Sequence, residues 1–213
     1  MPRPSRNLDR RLVAAARAML PQVGFSGLKV RAVARRAGVN PGMFHYHFRS
    51  KEAFLRAVLA DVYEDFFVPL RAAAEGPGAP LERLRGTLVA FARFARENRV
   101  LYTLFLRELL NGRKDVAAFA RAAFPRHVAV LLRLLEDCRR AGAVRPLPPW
   151  MLAMHAMSTM GIPNIAVTGL EMNGIRELAG TALPALAEQA LSDGMIETRA
   201  DMVLASLAPG RRR

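Results

Sequence analysis

Apolar residues recur at three- and four-residue spacing along almost the whole chain, while alternating strand patterns are scarce. A period near 3.6 commits the backbone to helices that each bury one face, so the expected fold class is all-α. Leu8, Leu12, Ala16, Met19, Leu20 and Val23 line one side of a first helix. Asn7 is placed to cap it and Gly24 to end it in the left-handed conformation. A second helix covers about residues 29–37, turning Val30, Val33, Ala34 and Ala37 inward before Gly38. The third is short: Asn40 is a good N-cap, Pro41 suits the first helical position, and Val39 is set to pack on Phe44 as a hydrophobic staple. Phe44 and Phe48 then bury together, and Ser50 caps a fourth helix that runs through Phe54, Leu55, Val58, Leu59 and Val62 to about Ala74.

Gly76-Pro77-Gly78-Ala79-Pro80 is the strongest breaker, and it places a domain junction between residues 6–66 and 78–208. Beyond it, helical patterns cover about residues 81–97, 100–110, 116–140, 150–167, 175–191 and 195–207, with kinks expected at Pro125 and Pro163. Nine to ten helices result, followed by a tail, residues 209–213, that reads as frayed. With 213 residues, 52% of them hydrophobic, two domains of ordinary size can each bury a core.

The net charge of +14 favours polyanionic partners, but 29 of the 32 basic residues are arginine, a skew that genome composition can produce without any functional cause. Distribution is therefore the better guide. Residues 1–60 hold 12 basic and 2 acidic side chains, whereas residues 61–213 hold 20 and 16. The excess sits on the first domain. A lone cysteine, Cys138, excludes an intrachain disulfide, and Arg10, Arg11 and Arg17 interrupt any apolar leader, so a cytoplasmic protein is expected. No charge occurs between Arg145 and Glu171, yet Gly161, Pro163 and Asn164 lie in that stretch with His155, Ser158 and Thr159. Such a segment suits a helix buried by protein and not a membrane span.

Two short helices joined by Ala37-Gly38-Val39-Asn40 form a helix-turn-helix, about residues 29–48: glycine lets the chain leave the first helix, and the valine tucks beneath the turn. With Phe44 and Phe48 in the core, Pro41, Gly42, Met43, His45, Tyr46 and Arg49 face outward. Exposed Met, His and Tyr suit thymine methyls, sugar edges and phosphates better than they suit water, and Gly42 permits close backbone approach. His45 and His47 are two apart on a helix and point to different faces, so no metal site is expected.

The stretch Leu28-Lys29-Val30-Arg31-Ala32-Val33-Ala34-Arg35-Arg36-Ala37-Gly38-Val39-Asn40-Pro41-Gly42-Met43-Phe44-His45-Tyr46-His47-Phe48-Arg49-Ser50-Lys51-Glu52-Ala53-Phe54 resembles the TetR-type transcriptional regulators, and the resemblance covers about residues 6–66. It implies a three-helix DNA-binding domain followed by a larger helical ligand-binding and dimerisation domain. It also implies that Lys29, Arg31, Asn40, Pro41, Gly42, Met43, His45, Tyr46, His47 and Lys51 lie at the DNA, with Tyr46 and Lys51 as phosphate anchors. Leu28 stands where the family usually has a threonine capping the second helix, which moves the expected cap to Ser26. His45 replaces a usual tyrosine.

In the second domain Met151, Met154, Met157 and Met160 recur every third residue, each step turning back about 60°, so they sweep half a helix. One side is expected to line a cavity and the other a subunit interface. Phe91, Phe94, Tyr102, Phe105, Trp150, Met151, Met154 and His155 are candidates to bound a pocket for a small hydrophobic effector. Met202, Val203, Leu204 and Leu207 join the 150–167 helix as the expected homodimer surface. No nucleophile with its base, phosphate loop, zinc spacing or carboxylate pair is present in the sequence, so neither an enzyme nor a cofactor is expected. The expected function is a repressor released from a pseudo-palindromic double-stranded operator by its effector. The alternative is a sequence-tolerant architectural DNA binder without one.

Overall fold

A computed structural model describes residues 6–210, with side chains from Leu8 onward, and among these residues the fold is all-α with ten helices and one small hairpin. The side chain of Asn7, expected to cap α1, and residues 211–213 of the expected frayed tail lie outside what is described. The first helix, α1 (Arg6–Gly27), does not stop at Gly24. Gly24 instead takes φ 64°, ψ 177° and kinks it, and one more turn carries Phe25 into the core. Helices α2 (Val30–Ala37), α3 (Pro41–His47) and α4 (Lys51–Glu75) follow. The remainder comprises α5 (Pro80–Glu97), α6 (Arg99–Leu110), α7 (Lys114–Arg140), α8 (Pro149–Met172), α9 (Leu183–Leu191) and α10 (Asp193–Leu207).

The single helix expected over 175–191 is a correction. α8 runs on to Met172, Gly174 (φ 69°) breaks the helix, and residues 177–182 form the antiparallel pair β1 (Glu177–Leu178) and β2 (Thr181–Ala182). Ala179 and Gly180 turn it with φ 50° and 78°, the double positive φ that a two-residue hairpin loop needs and a helix cannot carry. α9 starts only afterwards.

The described chain divides into two compact units. Unit 1 comprises the chain up to Asp65 together with Leu104–Ala123, and unit 2 comprises Phe66–Thr103 and the chain from Phe124 onward. In unit 1, Leu12, Ala16, Leu20, Phe25, Leu28, Val33, Phe44, Phe54 and Val58 are buried. Each large side chain removed from water in this way contributes about 1.5–3 kcal/mol. The 104–123 segment is held there by Tyr63, whose hydroxyl donates to the Ala123 carbonyl at 2.7 Å and whose ring meets Phe119. Arg113 also ties it down: its guanidinium lies 5.6 Å from the Phe25 ring centroid and donates to Ser26 Oγ at 3.2 Å.

Unit 2 is built on α5, α8 and α10, which bury Leu84, Leu88, Ala92, Leu152, Ala156, Met160, Ile196, Ala200, Val203 and Leu207. Outside this core an ionic ladder joins α5 to α10: Arg85 to Asp201 at 2.6 Å, and Arg93 to Asp193 and Glu197 at 2.9 and 3.1 Å. Val203 and Leu207, read from sequence as part of an exposed apolar surface, are inside this core, because α10 turns residues 196, 200, 203 and 207 toward α5 and α8. Met202 stays outside. Among the described residues no helix is long and apolar enough to cross a membrane, and the uncharged stretch is α8.

Candidate nucleic-acid interface and effector region

The helix-turn-helix is assembled by local capping. Gly38 closes α2 at φ 61°, and Val39 N–H reaches back to the Ala34 carbonyl at 2.9 Å. Asn40 caps α3, its Oδ1 accepting from Gly42 N–H at 2.9 Å. Phe44, Phe48 and Phe54 then form a cluster with centroids 4.8–5.6 Å apart, Phe54 meeting the other two rings edge to face, which fixes α3 against the start of α4. Ser50 caps α4 through Ala53 N–H at 3.1 Å.

This arrangement turns Asn40, Pro41, Gly42, Met43, His45 and Tyr46 outward, Tyr46 with 61% of its surface exposed. Lys29 and Arg31, at the start of α2, are exposed as well, and Lys51 is half-buried at the first position of α4. His47 departs from that group. Three residues after buried Phe44, it shares the inward face of α3. Its side chain is only 2% exposed, with Nδ1 against the Asp9 carboxylate of α1. The cap expected at Ser26 does not form: α2 begins after Lys29 without a side-chain acceptor, Leu28 is buried, and Ser26 Oγ instead accepts from Arg113.

Sequence reading missed Arg11. From α1 its Nη2 donates to the carbonyls of Ala37 and Gly38 at 2.6 and 3.1 Å, capping the open end of α2 and holding the turn. A side chain on Gly38 would meet that nitrogen at 2.9 Å. The residue stood among arginines whose only visible role was to interrupt an apolar run.

Unit 2 brings Phe91, Phe94 and Tyr102 together, and adds residues that sequence reading did not name. Phe66 packs against Phe91, Phe94 and His127 with centroids 6.0, 5.2 and 5.3 Å away, and Phe91 meets Tyr102 at 6.3 Å. Burial raises the Tyr102 hydroxyl above its ordinary value and pushes His127 down to about 4, so both are neutral near pH 7. An unfolded histidine titrates near 6.5, so stability is full above that pH and falls as pH drops from 6.5 through about 4, where only the unfolded chain takes up the proton. His127→Phe should therefore narrow the gap between urea midpoints at pH 7 and pH 4.5. An unchanged gap would contradict the assignment.

The other pocket candidates lie elsewhere. Phe105 belongs to unit 1, where it meets Phe119. Trp150, Met151, Met154 and His155 are exposed on α8: residues 150, 154, 158, 162 and 166 advance only about 40° per step and form an outer stripe, and Met151 and His155 lie in the row next to it. The methionine sweep behaves as its geometry requires, from 67% exposure at Met154 through half-buried Met157 to fully buried Met160. Ser206 gives its proton to the Val203 carbonyl at 2.7 Å, so His155 Nε2 is the donor in its 2.8 Å bond to Ser206 Oγ.

Residues 12–58 match the family described as bacterial regulatory proteins, tetR family. The transcriptional regulator RutR of Escherichia coli K12 is 32% identical over 101 residues, 47% of each chain, so the chain spans about half the length of such relatives. The ketosteroid transcriptional regulator KstR2 of Mycobacterium tuberculosis is 18% identical, with a TM-score of 0.65 over 97% of both chains. FadR of Bacillus subtilis, solved with stearoyl-CoA, is 15% identical, with a TM-score of 0.66 over 86% of this chain and 98% of its own. At these identities the solved structures establish the shared fold.

Proposed function

We propose, for a chain that belongs through its N-terminal helix-turn-helix to the tetR family of bacterial regulatory proteins, that it is a homodimeric repressor released from a pseudo-palindromic operator by a small apolar effector. The observation that carries the DNA reading is the outer side of α3, where Met43, His45 and Tyr46 stand exposed beside Gly42 and the N-terminus of α2. A helix seven residues long with three such side chains turned to solvent fits a major groove about 12 Å wide. Lys29, Arg31, Tyr46 and Lys51 are assigned to phosphates, and Met43 and His45 to base edges. His47 acts through the position of α3, not by touching DNA.

Dimerisation is assigned to the outer stripe of α8, Trp150, Met154, Ser158, Ile162 and Ala166, with Met195, Thr198, Met202 and Ala205 of α10, all exposed in the single chain. A two-fold axis through that surface would set two copies of α3 on half-sites roughly 34–36 Å apart or a multiple of that spacing. The aromatic cluster of unit 2 supports an apolar effector, as do a fold shared with a regulator named for ketosteroids and one solved with stearoyl-CoA. Helix α4 contributes residues 51–65 to unit 1 and 66–75 to unit 2, so an effector that favours one orientation of α4 would couple to DNA affinity by about 1–3 kcal/mol.

Selection of bound fragments from random DNA tests the reading: an enriched inverted repeat is expected, and no enrichment would leave a sequence-tolerant binder. Roles separate by salt dependence. Lys51→Ala should weaken binding to every sequence and lower the slope of log K against log salt by about 1, whereas Met43→Ala and His45→Ala should change the preferred sequence at a constant slope. Equal losses on all sequences for all three would refute the assignment.

A further inference from the structure

Deep in unit 2, Asn164 is 1% exposed, its Nδ2 donates to the Met160 carbonyl at 3.3 Å, and its Oδ1 is buried with no hydrogen-bond partner among the described residues. An amide oxygen left unpaired away from water costs about 1–3 kcal/mol. One turn earlier, on the same face of α8, stands Gly161. A Cβ there would lie 3.1 Å from the Tyr102 hydroxyl and 3.4 Å from Phe91 Cζ, so the missing side chain is what lets the phenol sit against the α8 backbone. That hydroxyl, largely buried, makes no hydrogen bond to any described residue.

We propose that Asn164 Oδ1 and the Tyr102 hydroxyl are a two-point clamp for the hydroxyl group of a neutral, ring-bearing apolar ligand. The inference rests on the reading that unit 2 receives an effector, and it names the chemistry of that effector. A ligand hydroxyl satisfies both ends with a single oxygen, donating its proton to Asn164 and accepting the proton of Tyr102. The rings of Phe66, Phe91 and Phe94 supply apolar surface for the rest of the molecule. Charge argues against a carboxylate. It has no proton for Asn164, and Arg99, which reaches α8 from α6, is already engaged by Thr168 and Glu171. An anion buried beside a neutral imidazole and a neutral phenol would lack compensation.

The test compares three probes sharing one skeleton, 2-naphthol, naphthalene and 2-naphthoate, by titration calorimetry on the full chain without DNA. 2-Naphthol should bind about tenfold or more tighter than either of the others, because a site with polar groups to satisfy rejects analogues that leave them unpaired. Asn164→Leu and Tyr102→Phe should each bring 2-naphthol down to the level of naphthalene while leaving naphthalene unchanged. Without ligand, Asn164→Leu should also unfold at a higher denaturant midpoint than the parent chain, since it removes the orphaned oxygen. Equal or tighter binding of 2-naphthoate, a preference for 2-naphthol that survives both substitutions, or no binding of any probe overturns the clamp. Operator release is measured separately. A 2-naphthol complex that still holds DNA leaves the clamp standing and removes the effector reading, whereas an anion that releases DNA equally from the parent and from Asn164→Leu does the reverse.

Discussion

Replacing Phe44 by alanine is expected to cost about 3–5 kcal/mol, a large share of the roughly 5–15 kcal/mol that holds a domain folded, and to abolish DNA binding with it. The ring is completely buried and lies 5.0 Å from Phe54 and 5.6 Å from Phe48, so it joins α3 to α4. A seven-residue helix has too few internal hydrogen bonds to persist once that anchor is gone. Denaturation followed by circular dichroism reads the loss. Tyr46→Ala is the informative contrast, because its ring is mostly in water: stability should move by no more than about 0.5 kcal/mol while DNA affinity falls. If Phe44→Ala unfolds at the parental midpoint, α3 is not held as described.

The second large effect concerns assembly. Met154 and Met202 are 67% and 62% exposed, so charges placed there should leave the single chain folded. Met154→Glu combined with Met202→Glu would set like charges and unsatisfied carboxylates across the proposed two-fold surface. The double variant should sediment as a monomer at micromolar concentration and lose about 10²–10⁴-fold in operator affinity, since a second half-site no longer binds as part of the same body. A double variant that remains dimeric would place the interface elsewhere.

Much of unit 1 was legible because its signals are local. Gly38, Asn40, Pro41 and Ser50 each act within four residues, and the structure uses Gly38, Asn40 and Ser50 as the sequence suggests. Where the deciding partner is distant in sequence, reading failed. Nothing beside His47 announces Asp9, 38 positions earlier, and nothing beside Arg11 announces the carbonyl of Ala37. Unit 2 was harder still. Helix α8 is apolar on nearly every side, so periodicity does not say which side faces inward, and of the pocket candidates Trp150 and Met154 fall on its outer stripe while Met151 and His155 are exposed beside it. Asn164 was visible only as a polar residue that weakened a membrane reading. The hairpin at 177–182 was hidden because Leu178, Ala179 and Ala182 suit a helix as readily as a strand, and only Gly174 and Gly180 speak against one.

The Gly-Pro break invites a single cut, yet residues 104–123 return from beyond it to fold with α1 and α4. A headpiece excised at that break would keep α3 but leave Phe25 without Arg113 above it and Tyr63 without the Ala123 carbonyl. Chimeras that exchange this unit between relatives therefore call for two splice sites, with the returning segment carried along as part of it. A one-cut hybrid would inherit a foreign surface where its own fold expects a familiar one.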